Sequence, residues 1–129
     1  MKLCMIGTGY VGLVSGACFS DLGNNVICVD NDSEKIENLK KGIVPIYEPG
    51  LDELVKKNYK NNRLHFTTNL KKAVTNSDIV FICVGTPTKK NGNAADLSQI
   101  FKVVREIRSS IFKFKIIITK STVPITTGD

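Results

Sequence analysis

The fold is decided near the amino terminus, where residues 2–30 read KLCMIGTGYVGLVSGACFSDLGNNVICVD. The apolar run from Lys2 to Ile6 is typical of a buried strand, and glycines follow it at once. Residues Val11 to Leu22 are predicted to form a helix, and Gly23 stands where a left-handed carboxyl-terminal cap belongs. Asn25 to Val29 is a second apolar strand. The stretch therefore predicts a strand–helix–strand unit with parallel strands.

The glycines after the first strand fit the pattern G-x-G-x-x-G, at Gly7, Gly9 and Gly12. Alone the pattern is weak, because the chain has 10 glycines that can produce chance spacings, and an ordinary glycine-rich turn is the alternative. Its place between a strand and a helix is the context in which such a loop binds a pyrophosphate. Gly7 would permit a tight turn, Gly9 would let the backbone approach the ligand, and Gly12 would let helix and strand pack closely. The helix amino terminus would add free N–H groups and a positive dipole end.

An acid follows the second strand at Asp30, about 20 residues beyond the glycine loop, where dinucleotide-binding domains bind the adenosine ribose. Its carboxylate would repel a 2′-phosphate, and the sequence places no arginine near it. NAD is therefore expected in preference to NADP. Capping of the next helix is the alternative role of Asp30, but Asn31, Asp32 and Ser33 already supply caps.

Strands and helices continue to alternate along the rest of the chain, which predicts an α/β fold, a Rossmann-type doubly wound parallel sheet. Residues 1–129 are expected to be one NAD-binding domain. The alternation stops after a fifth strand where six are usual, so we expect a truncated sheet at the front of a longer enzyme. The further strands are predicted at Leu64 to Phe66, Ile79 to Val84 and Lys115 to Thr119, and the further helices at about Ser33 to Lys41, Leu51 to Lys57, Asn69 to Thr75 and Asp96 to Ser110.

Composition and charge exclude several classes of protein. The chain is 42% hydrophobic and 23% charged, as in soluble globular proteins. No apolar run approaches the roughly 20 residues of a membrane span, and no signal-peptide pattern opens the sequence, so a cytoplasmic location without a membrane is expected. The net charge of +6 comes largely from scattered lysine pairs without an aromatic–basic or zinc-finger pattern, so no nucleic-acid partner is expected.

The four cysteines, Cys4, Cys18, Cys28 and Cys83, lie in apolar segments and form no C-x-x-C pair. Metal ligation needs clustered spacing, so no metal site is expected and the thiols are interpreted as buried and free. The single histidine, His65, falls on a short strand expected at the sheet edge. We interpret it as structural, because nothing near it in the sequence resembles a proton relay.

Several longer strings carry a more specific signal. The strings are GYVG at 9–12, DNDSEK at 30–35, PIYEPGL at 45–51, VGTPT at 84–88 and KSTVP at 120–124. Together, and in this order, they resemble the N-terminal NAD-binding domain of the UDP-glucose 6-dehydrogenase family, which also contains the GDP-mannose and UDP-N-acetylmannosaminuronate-forming dehydrogenases. The resemblance covers essentially the whole chain.

The resemblance implies an enzyme that oxidises UDP-glucose at C6 to UDP-glucuronate with two NAD. The family's reaction passes through an aldehyde held as a thiohemiacetal on a cysteine, and none of the four cysteines here matches that cysteine's motif. This nucleophile and the family's catalytic glutamate and lysine would all follow Asp129, so the 129-residue chain alone is expected to be inactive. Family members commonly form homodimers through a central helix that would also follow Asp129.

The resemblance also assigns roles to residues of this chain. Tyr10 would face the cleft, Val11 would contribute backbone to the pyrophosphate site, and Asp30 and Lys35 would hold the adenosine ribose. Thr122 would approach the nicotinamide and help to orient a water during thioester hydrolysis. The implied cofactor-binding positions are Gly7, Gly9, Tyr10, Val11, Gly12, Asp30, Lys35, Val84, Gly85, Thr86, Pro87 and Thr122.

Three alternatives stay open at this point. The enzyme could be a related GDP-mannose or UDP-N-acetylmannosamine dehydrogenase, or another dehydrogenase that shares only the first motifs. A non-catalytic NAD-sensing Rossmann module belongs to a different class of function, and the stop after the fifth strand disfavours it.

The role of one residue also stays open. Glu48, in the PIYEPGL string, has either a site role or the role of shaping its loop.

Overall fold

Strands and helices alternate in the computed structural model, which describes residues 1–46, 48–83, 98–108 and 116–119. The elements are β1 (Lys2–Ile6), α1 (Tyr10–Asp21), β2 (Asn25–Val29), α2 (Ser33–Lys40), α3 (Leu51–Lys60), β3 (Leu64–Thr67), α4 (Leu70–Thr75), β4 (Ile79–Ile82), α5 (Ser98–Arg108) and β5 (Ile116–Thr119).

All five strands pair in parallel in one sheet of order β3-β2-β1-β4-β5. The chain moves outward from β1 to β3 and then returns to place β4 on the other side of β1. This reversal makes the carboxyl ends of β1 and β4 a topological switch point, where open α/β sheets bind their ligands. The predicted Rossmann-type doubly wound sheet is confirmed.

Helices cover both faces of the sheet. On one face, Leu13 of α1, Ile36 of α2 and Val55 of α3 belong to the larger buried cluster. On the other, Val74 of α4 and Ile107 of α5 belong to a second cluster. The central strands contribute side chains to both clusters, which explains why their sequences are continuous apolar runs rather than alternating ones.

Asp32, one of the alternative caps predicted for α2, caps that helix, and Asn69 caps α4. Asp32 Oδ1 accepts the N–H of Lys35 at 3.2 Å, and Asn69 Oδ1 accepts the N–H of Lys72 at 3.1 Å. Each cap satisfies a donor that the first turn of the helix leaves unpaired. The cap at Asp32 also fixes where α2 begins relative to Asp30, and so helps to place Lys35 near that acid.

Several predicted helix bounds need correction. Helix α1 begins at Tyr10 and ends at Asp21, each one residue earlier than predicted, α2 ends at Lys40, and α3 continues to Lys60, beyond its predicted end. The longer α3 has a tertiary cause that its own sequence does not show, because the ring of Tyr59 packs on Phe66 of β3 with centroids 5.9 Å apart. Strand β4 ends at Ile82, so the prediction that it includes Cys83 is wrong. The other predicted outer bounds of β4, α5 and β5, at residues 84, 96–97, 109–110 and 115, lie outside the described residues.

The prediction that all four cysteines are buried is wrong at Cys18, which is exposed. Helix α1 is apolar on nearly every side, so its sequence did not reveal which face packs inward. Burial raises the pKa of the Cys28 thiol, and the neighbouring Cys4 and Cys83 reinforce the shift, so Cys28 stays protonated. The buried residues of α1 are Gly12, Leu13, Gly16, Ala17 and Ser20.

His65 lies on the edge strand β3, as predicted, and its Nε2 is 3.1 Å from the main-chain oxygen of Asn62.

Among the helices that the structure describes, none combines the length and the apolarity needed to cross a bilayer. The same part of the chain holds no group of three or more histidine, cysteine or acidic side chains placed to bind a metal ion.

Candidate dinucleotide site

The loop between β1 and α1 turns the chain across the carboxyl end of the sheet. Gly7 has φ of 104°, in the left-handed region that favours glycine, and its N–H donates to the carbonyl of Val29 at 2.7 Å. Gly9 is the N-cap of α1, with φ of −72°, and no side chain caps the helix there. The amino terminus of α1 therefore faces the switch point with its positive dipole end and without a side-chain cap.

Gly12 holds α1 directly against this loop. A Cβ added at Gly12 would lie 2.0 Å from the carbonyl oxygen of Gly7 and 3.2 Å from Cβ of Cys83. The close packing expected at the third glycine is thus present, and it fixes the position of the helix amino terminus. A Cβ added at Gly9 would meet no atom within 4 Å, so the space above this glycine is open.

Asp30 follows β2 and is anchored through both carboxylate oxygens. Thr8 donates to Oδ2 twice, from its hydroxyl at 2.6 Å and from its N–H at 3.1 Å. The N–H of Asp32 donates to Oδ1 at 3.0 Å, and the ammonium group of Lys35 lies 3.8 Å from Oδ2. These contacts hold the Asp30 side chain in place, and with 16% of its area exposed it still reaches the surface.

The pKa of Asp30 lies below its ordinary value. Burial is the largest single effect and acts in the opposite direction, because it disfavours the charged form. The hydrogen bonds from Thr8 and from the N–H of Asp32, together with the positive charge of Lys35, outweigh burial. Asp30 is therefore an ionised acceptor throughout the neutral range.

A cleft of about 480 Å³ opens at the carboxyl ends of β1, β2 and β4. Gly9, Asp30 and Lys35 line one side, and Leu70 of α4 and Val103 of α5 add apolar surface. An acidic acceptor, a cation, apolar surface and a helix amino terminus thus meet at one place. These are the groups that a dinucleotide needs for its ribose, its phosphates and its base.

Tyr10 and Glu48 are joined across the rim of the site, where the Tyr10 hydroxyl donates to Oε2 of Glu48 at 3.1 Å. The hydrogen bond to Glu48, then its negative charge and slight desolvation, raise the pKa of Tyr10. Glu48 also accepts the N–H of Leu51 through its main-chain oxygen at 3.0 Å, which starts α3. Glu48 therefore shapes its own loop and also ties that loop to the first turn of α1.

The structure brings together only part of the predicted site. Gly7, Gly9, Asp30 and Lys35 line the cleft, whereas Tyr10, Val11 and Gly12, in the first turn of α1, are not among its lining residues. Their assigned roles stay predictions. The predicted site residues that lie outside the described part of the chain are Val84, Gly85, Thr86, Pro87 and Thr122.

Sequence reasoning missed three participants. Thr8 is an unspecified position of the glycine pattern, and only the fold shows that it is fully buried against Asp30. Lys102 and Glu106 of α5 line the far side of the cleft. Their spacing of four residues shows that they lie on one face of the helix. The sequence does not show that this face lies near the end of β2.

Over residues 1–129 the sequence matches the UDP-glucose/GDP-mannose dehydrogenase family, NAD binding domain. The chain belongs to this family. Among curated proteins it is 56% identical to the UDP-glucose 6-dehydrogenase of Rhizobium meliloti over 129 residues, which are 100% of the chain and 30% of that protein. It is 50% identical over 127 residues to UDP-glucose 6-dehydrogenase TuaD of Bacillus subtilis, covering 98% of the chain and 27% of that protein.

Solved structures of family members share the fold. A GDP-mannose dehydrogenase from Pseudomonas aeruginosa superposes with a TM-score of 0.93 at 45% identity, covering 98% of the chain and 30% of that structure. A UDP-glucose dehydrogenase from Pyrobaculum islandicum gives a TM-score of 0.90 at 35% identity, over 98% of the chain and 30% of that structure. The chain therefore spans under a third of the length of these relatives.

Family membership makes this an NAD-binding domain, and the cleft fits that cofactor. The glycine loop has open space above Gly9, the helix lacks a side-chain cap, and Asp30 is ionised at the rim. A carboxylate at this position accepts hydrogen bonds from ribose hydroxyls and disfavours a 2′-phosphate. The expectation that the cofactor is NAD is confirmed, and its preference over NADP stays a prediction.

Gly9→Ala tests the glycine loop as a phosphate cradle. A methyl group there would occupy space between backbone and ligand, so the affinity for NAD should fall at least about ten-fold, or about 1.4 kcal/mol. Folding should change little, because φ is negative and the added Cβ meets no atom within 4 Å. Titration calorimetry and thermal melts of the same preparation measure both effects. Parent-like NAD binding by a folded variant would refute the cradle.

Proposed function

We propose that the intact protein is a UDP-glucose 6-dehydrogenase, which oxidises C6 of UDP-glucose to the carboxylate of UDP-glucuronate with two NAD. The observation that carries the proposal is the 56% identity, over the whole chain, to an enzyme of that name. The ordered strings quoted above support it, because they extend beyond the glycine loop that many dinucleotide-binding proteins share.

Within this function, the described residues would bind and orient the cofactor. Asp30 would accept hydrogen bonds from the adenosine ribose, and Lys35 would lie beside it. The amino terminus of α1 would bind the pyrophosphate through its N–H groups, with Gly9 allowing close approach. Leu70 and Val103 would pack against the adenine.

The chemical step needs groups beyond these. NAD, when bound, accepts the hydride removed from C6. The thiol nucleophile of the family matches none of the four cysteines here, so we place it in a part of the intact protein outside these 129 residues. Thr122 is proposed to orient the hydrolytic water, and Val84, Gly85, Thr86 and Pro87 to contact the cofactor.

The test is a substrate comparison with the intact gene product. UDP-glucose, GDP-mannose and UDP-N-acetylmannosamine are each supplied with NAD, and NADH formation and the sugar product are measured. UDP-glucose should give the highest kcat/KM, with two NADH formed for each UDP-glucuronate. A higher kcat/KM with another nucleotide sugar, or one NADH per sugar with an aldehyde product, would contradict the proposal.

A second candidate is a GDP-mannose dehydrogenase. The TM-score of 0.93 to a protein of that name favours it, although the identity is 45% rather than 56%. The NAD-binding domain is a poor guide to the choice, because in the proposed enzyme the sugar-binding residues lie elsewhere. The substrate comparison decides between the two.

The 129-residue chain on its own should not turn over UDP-glucose. The thiol nucleophile and the family's catalytic glutamate and lysine are proposed to lie outside it, so the chain lacks the groups that both oxidation steps need. NADH formation by the purified chain is measured beside the intact protein at equal molar concentration. Turnover by the chain above the level of a mock purification would show that the chemistry resides within these residues.

That the intact protein forms a homodimer, and that it is cytoplasmic, stay predictions.

A further inference from the structure

We infer that Thr8 is a positioning residue for the cofactor: it holds one oxygen of the Asp30 carboxylate and thereby presents the other to the ribose of NAD. The inference rests on the proposal that Asp30 binds that ribose. It adds a residue that neither the glycine pattern nor the family resemblance assigns, because Thr8 occupies an unspecified position of the loop.

Thr8 is among the residues that line the cleft, but its hydroxyl points to Asp30. Its side chain is fully buried, and its hydroxyl lies 2.6 Å from Asp30 Oδ2, within the range of short charge-assisted hydrogen bonds. Its N–H donates to the same oxygen at 3.1 Å. Both donors belong to one residue in a loop that packs directly on α1 at Gly12, so the backbone of the loop places both donors at Oδ2.

The remaining acceptor capacity of Asp30 follows from its lone pairs. A carboxylate offers about two acceptor positions on each oxygen. Thr8 fills both positions on Oδ2, and Lys35 adds its charge at 3.8 Å. The N–H of Asp32 fills one position on Oδ1. Among the described contacts, Oδ1 thus keeps one acceptor position for a ribose hydroxyl. Because Thr8 occupies Oδ2, it makes Oδ1 the oxygen of Asp30 that can accept from the ribose.

A merely structural role would be that Thr8 satisfies a half-buried acid and stabilises the loop. The two roles differ in how NAD binding depends on pH. The Thr8 hydroxyl favours the ionised carboxylate, so its loss should raise the pKa of Asp30. Among the described residues, the other charged groups that line the cleft are Lys35 of α2 and Lys102 and Glu106 of α5, and the substitutions at Thr8 leave all three side chains unchanged.

The test uses the intact gene product with Thr8→Val and Thr8→Ala, which remove the hydroxyl, and Thr8→Ser, which keeps it. Ser20→Ala is the matched control, because Ser20 is also buried and donates its hydroxyl only to the local carbonyl of Ala17. NAD titrations are run from neutral pH down to the acid limit of folding. Thermal melts at each pH report the folded fraction.

Thr8→Val and Thr8→Ala should weaken NAD binding at least about ten-fold, and the loss of affinity on acidification should move to higher pH. Thr8→Ser should bind within about three-fold of the parent with the parent pH profile, and Ser20→Ala should do the same. Parent-like affinity and pH profile in either folded hydroxyl-less variant would overturn the inference. If neither variant folds, the parent decides by NMR: the Thr8 hydroxyl proton should be protected from exchange, and the Asp30 carboxyl resonance should shift when NAD binds. Absence of either result refutes the inference.

Asp30→Ala separates this inference from the proposal beneath it. If Asp30→Ala binds NAD like the parent, the ribose assignment of Asp30 fails. If Asp30→Ala loses affinity while Thr8→Val and Thr8→Ala do not, only the role of Thr8 fails.

Discussion

Replacing Gly12 with valine should destabilise the domain by about 3 kcal/mol or more and remove measurable NAD binding. The Cβ of the new side chain would lie 2.0 Å from the carbonyl oxygen of Gly7. Because that atom is backbone, the overlap cannot be relieved by a rotamer change, and α1 must move away from the loop. Total stabilities of single domains are about 5–15 kcal/mol, so the loss is a large fraction.

Urea unfolding of parent and variant measures the change in stability, and NAD titration of the folded fraction measures binding. Gly9→Ala is the matched control, since it adds a side chain to the same loop where no atom lies within 4 Å. Gly12→Val should lower stability and binding together, whereas Gly9→Ala should lower binding alone. Unfolding of Gly12→Val at the parent's urea midpoint would show that the helix adapts, and the packing role of Gly12 would be wrong.

The fold was predictable because its signals are local. The run from Lys2 to Ile6, the glycines after it and the alternation of apolar runs with helical patterns require only short-range reading. The parallel pairing of the strands follows from the same alternation together with right-handed crossovers, whereas the strand order was not predicted and comes from the structure. The helix caps at Asp32 and Asn69 also act within a few residues, and both are present in the structure.

The parts that escaped prediction depend on contacts between distant residues. Thr8 meets Asp30 and Tyr10 meets Glu48 only because the loop after β1 passes the end of β2 and the start of α3. Cys18 was misplaced for a different reason. Helix α1 has so few polar residues that its periodicity does not distinguish the face that packs on the sheet from the face that meets solvent.

Residues of the candidate site could be predicted from the sequence where the local backbone or the ligand requires one particular residue type. Gly7 needs its positive φ, and an acid at the end of β2 has few other roles. Asp30 could be named from spacing, but its anchoring could not. The sequence alone does not show that Thr8 saturates one oxygen of the carboxylate and that Lys35 stands 3.8 Å from the same atom.

Asp30→Ala should weaken NAD binding by about ten- to a hundred-fold, because a hydrogen bond to a charged group contributes about 1.5–3 kcal/mol. NADP should be affected in the opposite direction. The carboxylate is ionised at neutral pH and would repel a 2′-phosphate placed beside it. With Asp30 removed, Lys35 loses its ion-pair partner and can attract that phosphate instead. The ratio of NAD to NADP affinity should therefore fall by at least about a hundred-fold.

Calorimetric titration of both cofactors at neutral pH, and again at higher salt, measures the ratio and its electrostatic part. Asp32→Asn is the matched control: it removes one negative charge two residues further along, and asparagine still caps α2. A change that came only from net charge would appear in both variants and would shrink with salt. If Asp32→Asn shifts the ratio as far as Asp30→Ala, discrimination comes from the general field of the cleft. If the ratio changes only in Asp30→Ala, it comes from the one carboxylate that Thr8, Asp32 and Lys35 hold in position.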